Sequence, residues 1–238
     1  MNILRLVRVG LLILLTAAGI APVYAAEKLV RVGIYQNSPK VALSATGQPE
    51  GIFVDIITAI AKEERWTLEF VPGTWGEGLD RLAAGKIDLM PDVAWTSERE
   101  RQFAFHHEPV LSDWFQIYAR HGSGIRSLID LNGRRVAVLE RSIQQAAFEN
   151  LLATFDLRAT LVPMPDYADA FGRVSRGEVD AVIANRFYGT AHLHDRALED
   201  TAVIFNPTRL FFAAPATGNP AVLAVIDDAR AAALAELL

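Results

Sequence analysis

Arg99 is the residue whose chemistry points most directly to binding. A guanidinium presents a planar fork of donors that matches a carboxylate with two hydrogen bonds, and it stays charged at any working pH. The residue stands in the charged stretch Glu98-Arg-Glu-Arg101, shortly after Thr96. Because most arginines are solvated at protein surfaces, the same stretch also fits an ordinary exposed turn. The residues alone therefore leave a carboxylate site and a surface position open for Arg99.

Trp75 and Ser142 are further candidates for contact with a small molecule. An indole face packs on aliphatic carbons or on a cation, although core packing at a helix start explains Trp75 equally well. Ser142 precedes a helical stretch that begins at Ile143, so its hydroxyl is expected to cap that helix. The amides at the same helix start carry partial positive charge and suit an anion. For Ser142 the two roles can hold together.

No arrangement of residues typical of catalysis or metal binding stands out. The adjacent His106 and His107 would point to opposite faces of a strand, and His192 and His194 are two residues apart, so neither pair is spaced to hold one metal. The chain has no cysteine, which excludes a thiol nucleophile and a cysteine zinc site. It also lacks the Gly-x-Ser-x-Gly, phosphate-loop and His-Glu-x-x-His motifs. We predict no catalytic residues, no metal and no cofactor.

The balance of charged and apolar residues limits the partners that the chain can have. Its 238 residues include 23 Lys and Arg against 28 Asp and Glu, a formal net charge of −5. Both signs are mixed along the sequence and no basic block resembles a nucleic-acid footprint, so we predict no nucleic-acid partner. After residue 26, charged residues interrupt every apolar segment before it reaches membrane-spanning length.

The first 26 residues have the pattern of a secretory signal peptide. Arg5 and Arg8 give a positive start, residues 9–20 form a short apolar run, and Tyr24-Ala25-Ala26 offers small residues for a signal peptidase. An uncleaved N-terminal anchor is the alternative interpretation. We predict a signal peptide over residues 1–26 and a mature protein in the periplasm.

Strands and helices are predicted to alternate through the chain in two successive sets. The first set comprises strands over 29–34, 67–71 and 87–90 with helices over 52–65 and 74–84. The second set comprises strands over 135–139, 160–162 and 179–184 with helices over 143–154, 167–176 and 187–193. Strands over 203–205 and 210–214 and an Ala- and Leu-rich helix over 220–238 follow. Such alternation predicts an α/β fold with helices packed on sheets.

The two sets predict two lobes that face each other across a cleft. Ligands of α/β sheets bind beyond the carboxyl ends of the strands, so two facing sheets would enclose a small solute. We predict a first lobe over 27–118, a second lobe over 119–205 and a return to the first lobe over 206–238, with hinges near Ala119 and Asn206. A single larger doubly wound domain is the alternative on pattern grounds.

Several short motifs, in their order and spacing, resemble the family 3 periplasmic solute-binding proteins. They are Gly51-Ile-Phe-Val-Asp55, Leu82-Ala-Ala-Gly-Lys-Ile-Asp88, Thr96-Ser-Glu-Arg99 with Phe103-Ala-Phe105, Asp130-Leu-Asn-Gly-Arg-Arg-Val-Ala-Val138 and Arg176-Gly-Glu-Val-Asp-Ala181. The resemblance implies a two-lobed type II periplasmic-binding-protein fold with a ligand cleft between lobes joined by two hinge crossings.

A narrower set of residues is similar to the sensor versions of this domain in bacterial histidine kinases and diguanylate cyclases. It comprises Asn37-Ser-Pro-Lys40, Trp75, Asp92-Val-Ala94, Glu108-Pro-Val-Leu111 with Trp114, and Ser142-Ile-Gln-Gln145. The chain lacks the closing segment that transport-type relatives carry after the last helix, and C-terminal shortening is one explanation.

The resemblance implies a set of ligand-binding residues. Arg99 falls at the carboxylate-binding position of the Thr-x-x-Arg motif, which leaves Arg101 to the surface, and Trp75 falls on the first-lobe wall. Asp92 takes a position where amino-acid binders have hydroxyl residues, and Ser142 offers a hydroxyl and amides from the second lobe. Asn185 replaces the aspartate that pairs with a ligand ammonium, and Asn37 replaces an aromatic residue.

These departures predict a carboxylate-bearing solute that is not a standard α-amino acid. A charge supplied by Asp92 would restore the amino-acid interpretation. We expect a monomer that captures its solute by hinge closure, for uptake with an ABC permease or as the input of a membrane sensor kinase or cyclase. The alternatives are an enzyme similar to cyclohexadienyl dehydratases, with Glu140 and Asp92 as conceivable acid and base, and a ligand-free interaction domain.

Overall fold

A computed structural model of the chain describes residues 28–194, 197–218 and 221–235, so the predicted signal peptide lies outside the described part. Helices alternate with strands along the described residues, which confirms the predicted α/β class. The helices are α1 (Ile52–Glu64), α2 (Trp75–Ala83), α3 (Ser97–Glu100), α4 (Ile143–Thr154), α5 (Tyr167–Arg176), α6 (Arg186–His192) and α7 (Ala221–Ala235). The strands are β1 (Lys28–Ile34), β2 (Ala42–Leu43), β3 (Pro49–Glu50), β4 (Trp66–Pro72), β5 (Met90–Ala94), β6 (Phe103–Phe105), β7 (Leu111–Arg120), β8 (Arg135–Leu139), β9 (Thr160–Met164), β10 (Ala181–Asn185) and β11 (Leu198–Pro215).

The sheets divide the chain into two lobes. In the first, β1 pairs in parallel with β4, and Val32 of β1 bridges Leu89 just before β5. The larger sheet has the order β5-β11-β7-β10-β8-β9, with β6 also paired to β11. We call the part built on β1 to β6, α1 to α3 and α7 the first lobe, and the part built on β8 to β10 and α4 to α6 the second lobe. The long antiparallel strands β7 and β11 connect them.

The register of β7 and β11 gives the surroundings of Ala119 and Asn206, the two predicted hinge residues. Ala119, expected at the hinge, pairs with Ala181 of β10 and with Glu199, and therefore lies inside the sheet of the second lobe. The pairing of β7 with β11 shifts between Phe205 and Thr208, where Asn206 has a φ of 49°. A bulge of this kind lets paired strands bend. On β7, the segment opposite this bulge lies around Asp113, five to six residues before the expected hinge.

In the described part of the chain, three clusters of buried apolar residues form the core. One lies in the first lobe around Phe53, Ile57 and Phe212. A second lies in the second lobe around Phe148 and Ile183. The third contains buried residues from both lobes, including Trp75, Val93, Tyr167 and Phe171. Because apolar burial drives packing roughly in proportion to area, this shared cluster holds the two lobes together as described.

Two strands differ from the sequence prediction because pairing overrides local breakers. The predicted strand over 87–90 instead runs over Met90–Ala94 and includes Pro91, which is tolerated because β5 is at the edge of the larger sheet. The predicted strands over 203–205 and 210–214 belong to a single strand, β11, which passes through Asn206 and Pro207 at its bulge. No helix within the described ranges is both long and apolar enough to cross a membrane.

Candidate functional site

The structure brings all of the predicted site residues together around one small cavity between the lobes. The cavity has a volume of about 40 Å³. Its lining includes each predicted residue together with others from both lobes: Tyr35, Asn37, Lys40, Trp75, Asp92, Ala94, Arg99, Phe115, Leu139, Ser142, Ile143, Gln144, Tyr167, Asn185 and Leu210. A volume of this size holds about one water molecule, so the lobes are closed around this cavity, although Arg99, Ser142 and Ile143 also line an open groove of about 660 Å³.

Arg99 is buried at the edge of this cavity, with 9% of its surface exposed. The side chain of Thr96 accepts a hydrogen bond from the Arg99 backbone N–H at 3.1 Å and so fixes the start of α3. The Arg99 guanidinium donates to the backbone carbonyls of Ala94 at 3.1 Å and of Arg141 at 3.3 Å. The guanidinium also lies 5.3 Å from the ring centre of Trp75. Arg99 is therefore not the solvated residue of the alternative interpretation, whereas Arg101 is exposed.

Within the described part of the chain, the Arg99 guanidinium forms no ion pair. Among the described residues, no carboxylate oxygen lies within 4.0 Å of its guanidinium, whose hydrogen-bond acceptors are neutral carbonyls. Burial lowers its pKa from the ordinary value to about 10, which leaves the side chain charged at neutral pH. A buried cation of this kind favours an anion as its partner.

Asp92 lies on β5 with both carboxylate oxygens occupied. Oδ2 accepts from the hydroxyl of Tyr35 at 2.7 Å and from Nδ2 of Asn37 at 2.6 Å, and Oδ1 accepts from Nζ of Lys40 at 2.8 Å. Its backbone has a φ of 61°, a left-handed conformation that costs about 1–3 kcal/mol and is found preferentially at functional sites. The Lys40 ammonium also contacts Oδ2 of Asp113 at 3.1 Å.

Asn37 and Asn185 join the two lobes directly. Nδ2 of Asn185 donates to Oδ1 of Asn37 at 2.9 Å. Oδ1 of Asn185 accepts from the backbone N–H of Tyr188 at 3.0 Å, so this residue also caps α6. Both side chains are buried and neutral. Asn185 therefore closes the second lobe against the first and contributes no charge to the cavity.

Trp75 is positioned by a local signal at the start of α2. The side chain of Thr74 accepts from the Glu77 N–H at 3.2 Å, and the Glu77 carboxylate accepts from the Thr74 N–H at 2.9 Å, which together form a capping box. The indole is buried, lies 5.2 Å from the Tyr35 ring and donates from Nε1 to the Arg141 carbonyl at 3.4 Å. Trp75 is thus at once part of the core and part of the cavity wall.

Ser142 occupies the N-cap position of α4, but the predicted side-chain cap is wrong. Its hydroxyl donates to the carbonyl of Leu139 at 2.6 Å and makes no capping hydrogen bond to the first turn of the helix. The tight turn at Arg141, whose φ is 56°, directs the chain into this arrangement. The start of α4 therefore reaches the cavity with its first-turn amides uncapped by this side chain.

Lys40, Gln144 and Tyr167 are cavity residues that the sequence analysis did not select. Gln144 is buried with 2% exposure, and its Nε2 donates to the Tyr167 hydroxyl. Its Oε1 has no hydrogen-bond partner among the described residues. Burial raises the pKa of Tyr167, which keeps this hydroxyl neutral. Lys40 and Gln144 belong to the short motifs quoted above for the sensor versions. Membership in these motifs was the signal that could have indicated a role at the site.

His106 and His107 do not line the cavity. His106 is buried and its Nε2 accepts from the Phe212 N–H at 2.9 Å, while the exposed His107 contacts Asp227 at 2.7 Å. No group of three or more His, Cys, Asp or Glu among the described residues is arranged to hold a metal ion.

Solved structures of similar fold include binding proteins and a sensor. The arginine-bound form of truncated ArgBP from T. maritima has a TM-score of 0.76 at 23% identity, with 88% of this chain and 96% of that chain covered. A histidine kinase sensor domain with similarity to periplasmic binding proteins has a TM-score of 0.74 at 25% identity, with coverage of 84% and 87%. The ancestral amino acid-binding protein AncCDT-1, a precursor of cyclohexadienyl dehydratase, has a TM-score of 0.72 at 26% identity, with coverage of 84% and 87%.

None of the curated protein sequences compared with the chain matches it. The structural likeness shows the two-lobed type II periplasmic-binding-protein fold that the motifs imply. The sequence model of the bacterial extracellular solute-binding proteins, family 3, matches residues 30–236, which is most of the chain. The chain therefore belongs to family 3 of the bacterial extracellular solute-binding proteins.

Proposed function

We propose that the protein captures a small carboxylate-bearing solute between its two lobes. The observation that carries this proposal is the Arg99 guanidinium, which is buried at the cavity and, among the described residues, has only neutral hydrogen-bond acceptors. Leaving a buried charge unpaired is costly, and a bidentate carboxylate compensates it well. The ligand that relieves this cost is an anion with a planar pair of oxygens.

The second lobe offers a complementary group on the opposite side of the cavity. The start of α4 lines the cavity at Ser142, Ile143 and Gln144, and no side-chain cap from Ser142 covers its first-turn amides. A helix N-terminus carries partial positive charge and donates N–H groups to an anion. A carboxylate held by Arg99 and by these amides would contact both lobes at once, which favours the closed state when solute is bound.

Capture requires the lobes to open and close. The cavity of about 40 Å³ is too small for a solute much larger than water, so access requires the lobes to separate. The bulge on β11 around Asn206, and β7 around Asp113, are the proposed hinges. The solute would add contacts to the closed state that the open state lacks.

The proposed role is that of an exported binding protein, either for ABC-type uptake or as the input of a membrane sensor. The family and the predicted signal peptide support a periplasmic location. The structural relatives include an arginine-bound binding protein and a histidine kinase sensor domain, so solute binding and a sensor domain both occur on this fold. We propose a monomer.

We propose binding without catalysis. A dehydratase-like reaction would need an acid–base pair, for which Asp92 and Glu140 are the conceivable residues. Both oxygens of Asp92 are held by Tyr35, Asn37 and Lys40, and Glu140 lies against Gly76 of α2.

The test is a titration of purified protein with a panel of small carboxylates, detected first by thermal shift and then by isothermal titration calorimetry. We expect Arg99→Ala to weaken binding of the best acid by about 30-fold or more, equivalent to about 2 kcal/mol, since a charged hydrogen-bond partner is lost. Arg101→Ala, which changes an exposed arginine two residues away, is the matched control and should leave the dissociation constant unchanged. Equal dissociation constants for the two variants would contradict the proposal.

A further inference from the structure

Lys40 is a buried cation at the cavity. It is 2% exposed, and its Nζ lies 2.8 Å from Oδ1 of Asp92 and 3.1 Å from Oδ2 of Asp113. Lysine is rarely buried unless it is paired, and the desolvation of such a cluster offsets much of its Coulombic attraction. The arrangement is therefore poor support for stability alone, and its position beside the solute cavity suggests a role in recognition.

Lys40 and its neighbours occupy the anionic acceptors of the cavity. Asp92 receives Lys40 on one oxygen and Tyr35 and Asn37 on the other. The amide oxygens of Asn37 and Asn185 are also taken. Among the described side chains of the lining, Oε1 of Gln144 is a buried acceptor that has no hydrogen-bond partner, and it is neutral.

The balance of charge around the cavity also favours an anion over a ligand ammonium. Lys40 pairs with Asp92 and Asp113, Arg186 Nε lies 3.7 Å from Oδ1 of Asp113, and Arg99 lies at the same cavity without a carboxylate partner among the described residues. Three cations against two carboxylates leave one positive charge, which a monoanion neutralises. A zwitterionic amino acid brings no net charge, and its ammonium would be buried without a carboxylate partner.

We propose that Lys40 determines the class of solute by taking the carboxylate that a ligand ammonium would otherwise use. The site then selects carboxylates that carry a neutral hydroxyl in place of the α-ammonium, since a hydroxyl can donate to Oε1 of Gln144. This inference rests on the proposed binding of a carboxylate between the lobes. It goes further by naming 2-hydroxy acids as the preferred solutes and Lys40 as the specificity-determining residue.

The first experiment compares matched acids on the unmodified protein. Calorimetry is run with L-alanine, L-leucine, L-glutamate and L-arginine, and with the 2-hydroxy acid that shares each side chain. We expect the hydroxy acid of the pair that binds best to be at least about tenfold tighter than its amino acid, a difference of about 1.4 kcal/mol. An amino acid that binds as tightly as its hydroxy partner, or more tightly, overturns the role of Lys40 and leaves the proposed carboxylate site intact. Failure of every acid to bind counts against the proposed function itself.

The second experiment changes the lysine. Lys40→Met keeps the length of the side chain and removes its charge, which frees Asp92 for a ligand ammonium. We expect the preference within the same pair to shift toward the amino acid by about tenfold or more. Lys86→Met, at an exposed lysine of the first lobe, is the matched control and should keep the original preference.

Loss of Lys40 leaves two buried carboxylates unpaired, so circular dichroism and thermal melting are used to check that the variant folds. If Lys40→Met does not fold, the double variant Lys40→Met/Asp113→Asn removes one of the two charges and keeps Asp92. A folded variant of either kind that still prefers the hydroxy acid as strongly as the unmodified protein would overturn the proposal.

Discussion

At the scale of single residues, Arg99 shows how a binding site can hold a cation before its ligand arrives. Two of its five N–H groups donate to the carbonyls of Ala94 and Arg141, one from each lobe. These partners are neutral, so they accept hydrogen bonds but supply no countercharge. A carboxylate would supply both hydrogen bonds and countercharge, so binding gains more energy than a neutral ligand of the same shape could provide.

The same reasoning predicts how binding depends on pH. Burial lowers the pKa of Arg99 to about 10, and a bound carboxylate would raise it again. Arg99 is charged below this value, so its contribution to affinity should be constant between about pH 6 and 9 and should fall above about pH 10. Tyr35, which faces Arg99, has a pKa raised well above its ordinary value by burial and stays neutral in this range.

Calorimetry of the best carboxylate from about pH 6 to 10.5 checks this expectation. Arg99→Lys is the informative variant, because a lysine has a lower ordinary pKa than arginine and burial lowers it further. Its affinity should decline at a lower pH than that of the unmodified protein. An unmodified protein that loses affinity between pH 7 and 9 would contradict the assignment of Arg99 as the anion partner.

A site residue could be predicted from the sequence when its signal lies in neighbouring residues, and could not when its burial depends on distant parts of the chain. Arg99, Trp75 and Ser142 are each marked by adjacent residues or by a motif, and the structure places them at one cavity. Lys40 stands in the motif Asn37-Ser-Pro-Lys40, but nothing in that motif indicates that it is buried, because lysines are normally exposed. Its partners Asp92 and Asp113 lie 52 and 73 residues away, so only the folded chain shows that it is buried.

At the scale of elements, the start of α2 determines where Trp75 stands. The reciprocal hydrogen bonds between Thr74 and Glu77 fix the first turn, and Trp75 is the first residue of that turn. This signal is local and could be predicted from the sequence. The start of α4 could not, because the turn at Arg141 directs the Ser142 hydroxyl to Leu139 instead of to the helix.

Removing the cap of α2 should therefore lower stability. We expect Thr74→Ala to reduce the free energy of unfolding by about 1 kcal/mol, because an N-cap hydrogen bond is lost. Urea denaturation followed by tryptophan fluorescence measures the change. Thr58→Ala, on the exposed face of α1, is the control and should be neutral or slightly stabilising, since alanine favours helix. A loss no larger than that of the control would show that the capping box is not formed.

The strands β5 and β11 show why element bounds were harder to predict than element types. Pro91 and the pair Asn206 and Pro207 are turn signals in the sequence. Pro91 lies inside β5 at a sheet edge, and Asn206 and Pro207 lie inside β11 at a bulge. Pairing with distant segments determines the strand bounds at these positions. As a result Asp92, which a local interpretation leaves after a strand, lies within β5 and at the cavity.

At the scale of the whole molecule, the described structure is a closed form that several contacts hold across the cleft. Asn185 reaches Asn37, Arg99 and Trp75 both reach the Arg141 carbonyl, and the Arg141 side chain reaches Asp80 and the Gly76 carbonyl. In the proposed mechanism the protein exchanges between open and closed forms, and a ligand shifts the population by its differential affinity. Contacts that close the lobes without solute also set how much solute is needed to keep them closed.

Arg141 offers a direct test of this balance. Nη1 of Arg141 lies 2.8 Å from Oδ1 of Asp80 and 2.8 Å from the Gly76 carbonyl of the first lobe. The side chains of Arg141 and Asp80 are 47% and 70% exposed, so we assign the contacts of the Arg141 side chain with Asp80 and Gly76 together at most about 1 kcal/mol. Arg141→Ala should then raise the ratio of open to closed molecules by up to about fivefold.

Hydrogen exchange of backbone amides in residues 139–145, without added solute, measures this opening because exchange follows the open population. Exchange should be up to about fivefold faster in Arg141→Ala. Asp80→Ala should give a smaller change, since Arg141 still reaches Gly76. Arg134→Ala removes an ion pair with Asp180 that lies wholly within the second lobe, and it should leave the exchange unchanged. If Arg134→Ala and Arg141→Ala accelerate exchange equally, the second lobe has been loosened in general, and Arg141 does not hold the cleft closed.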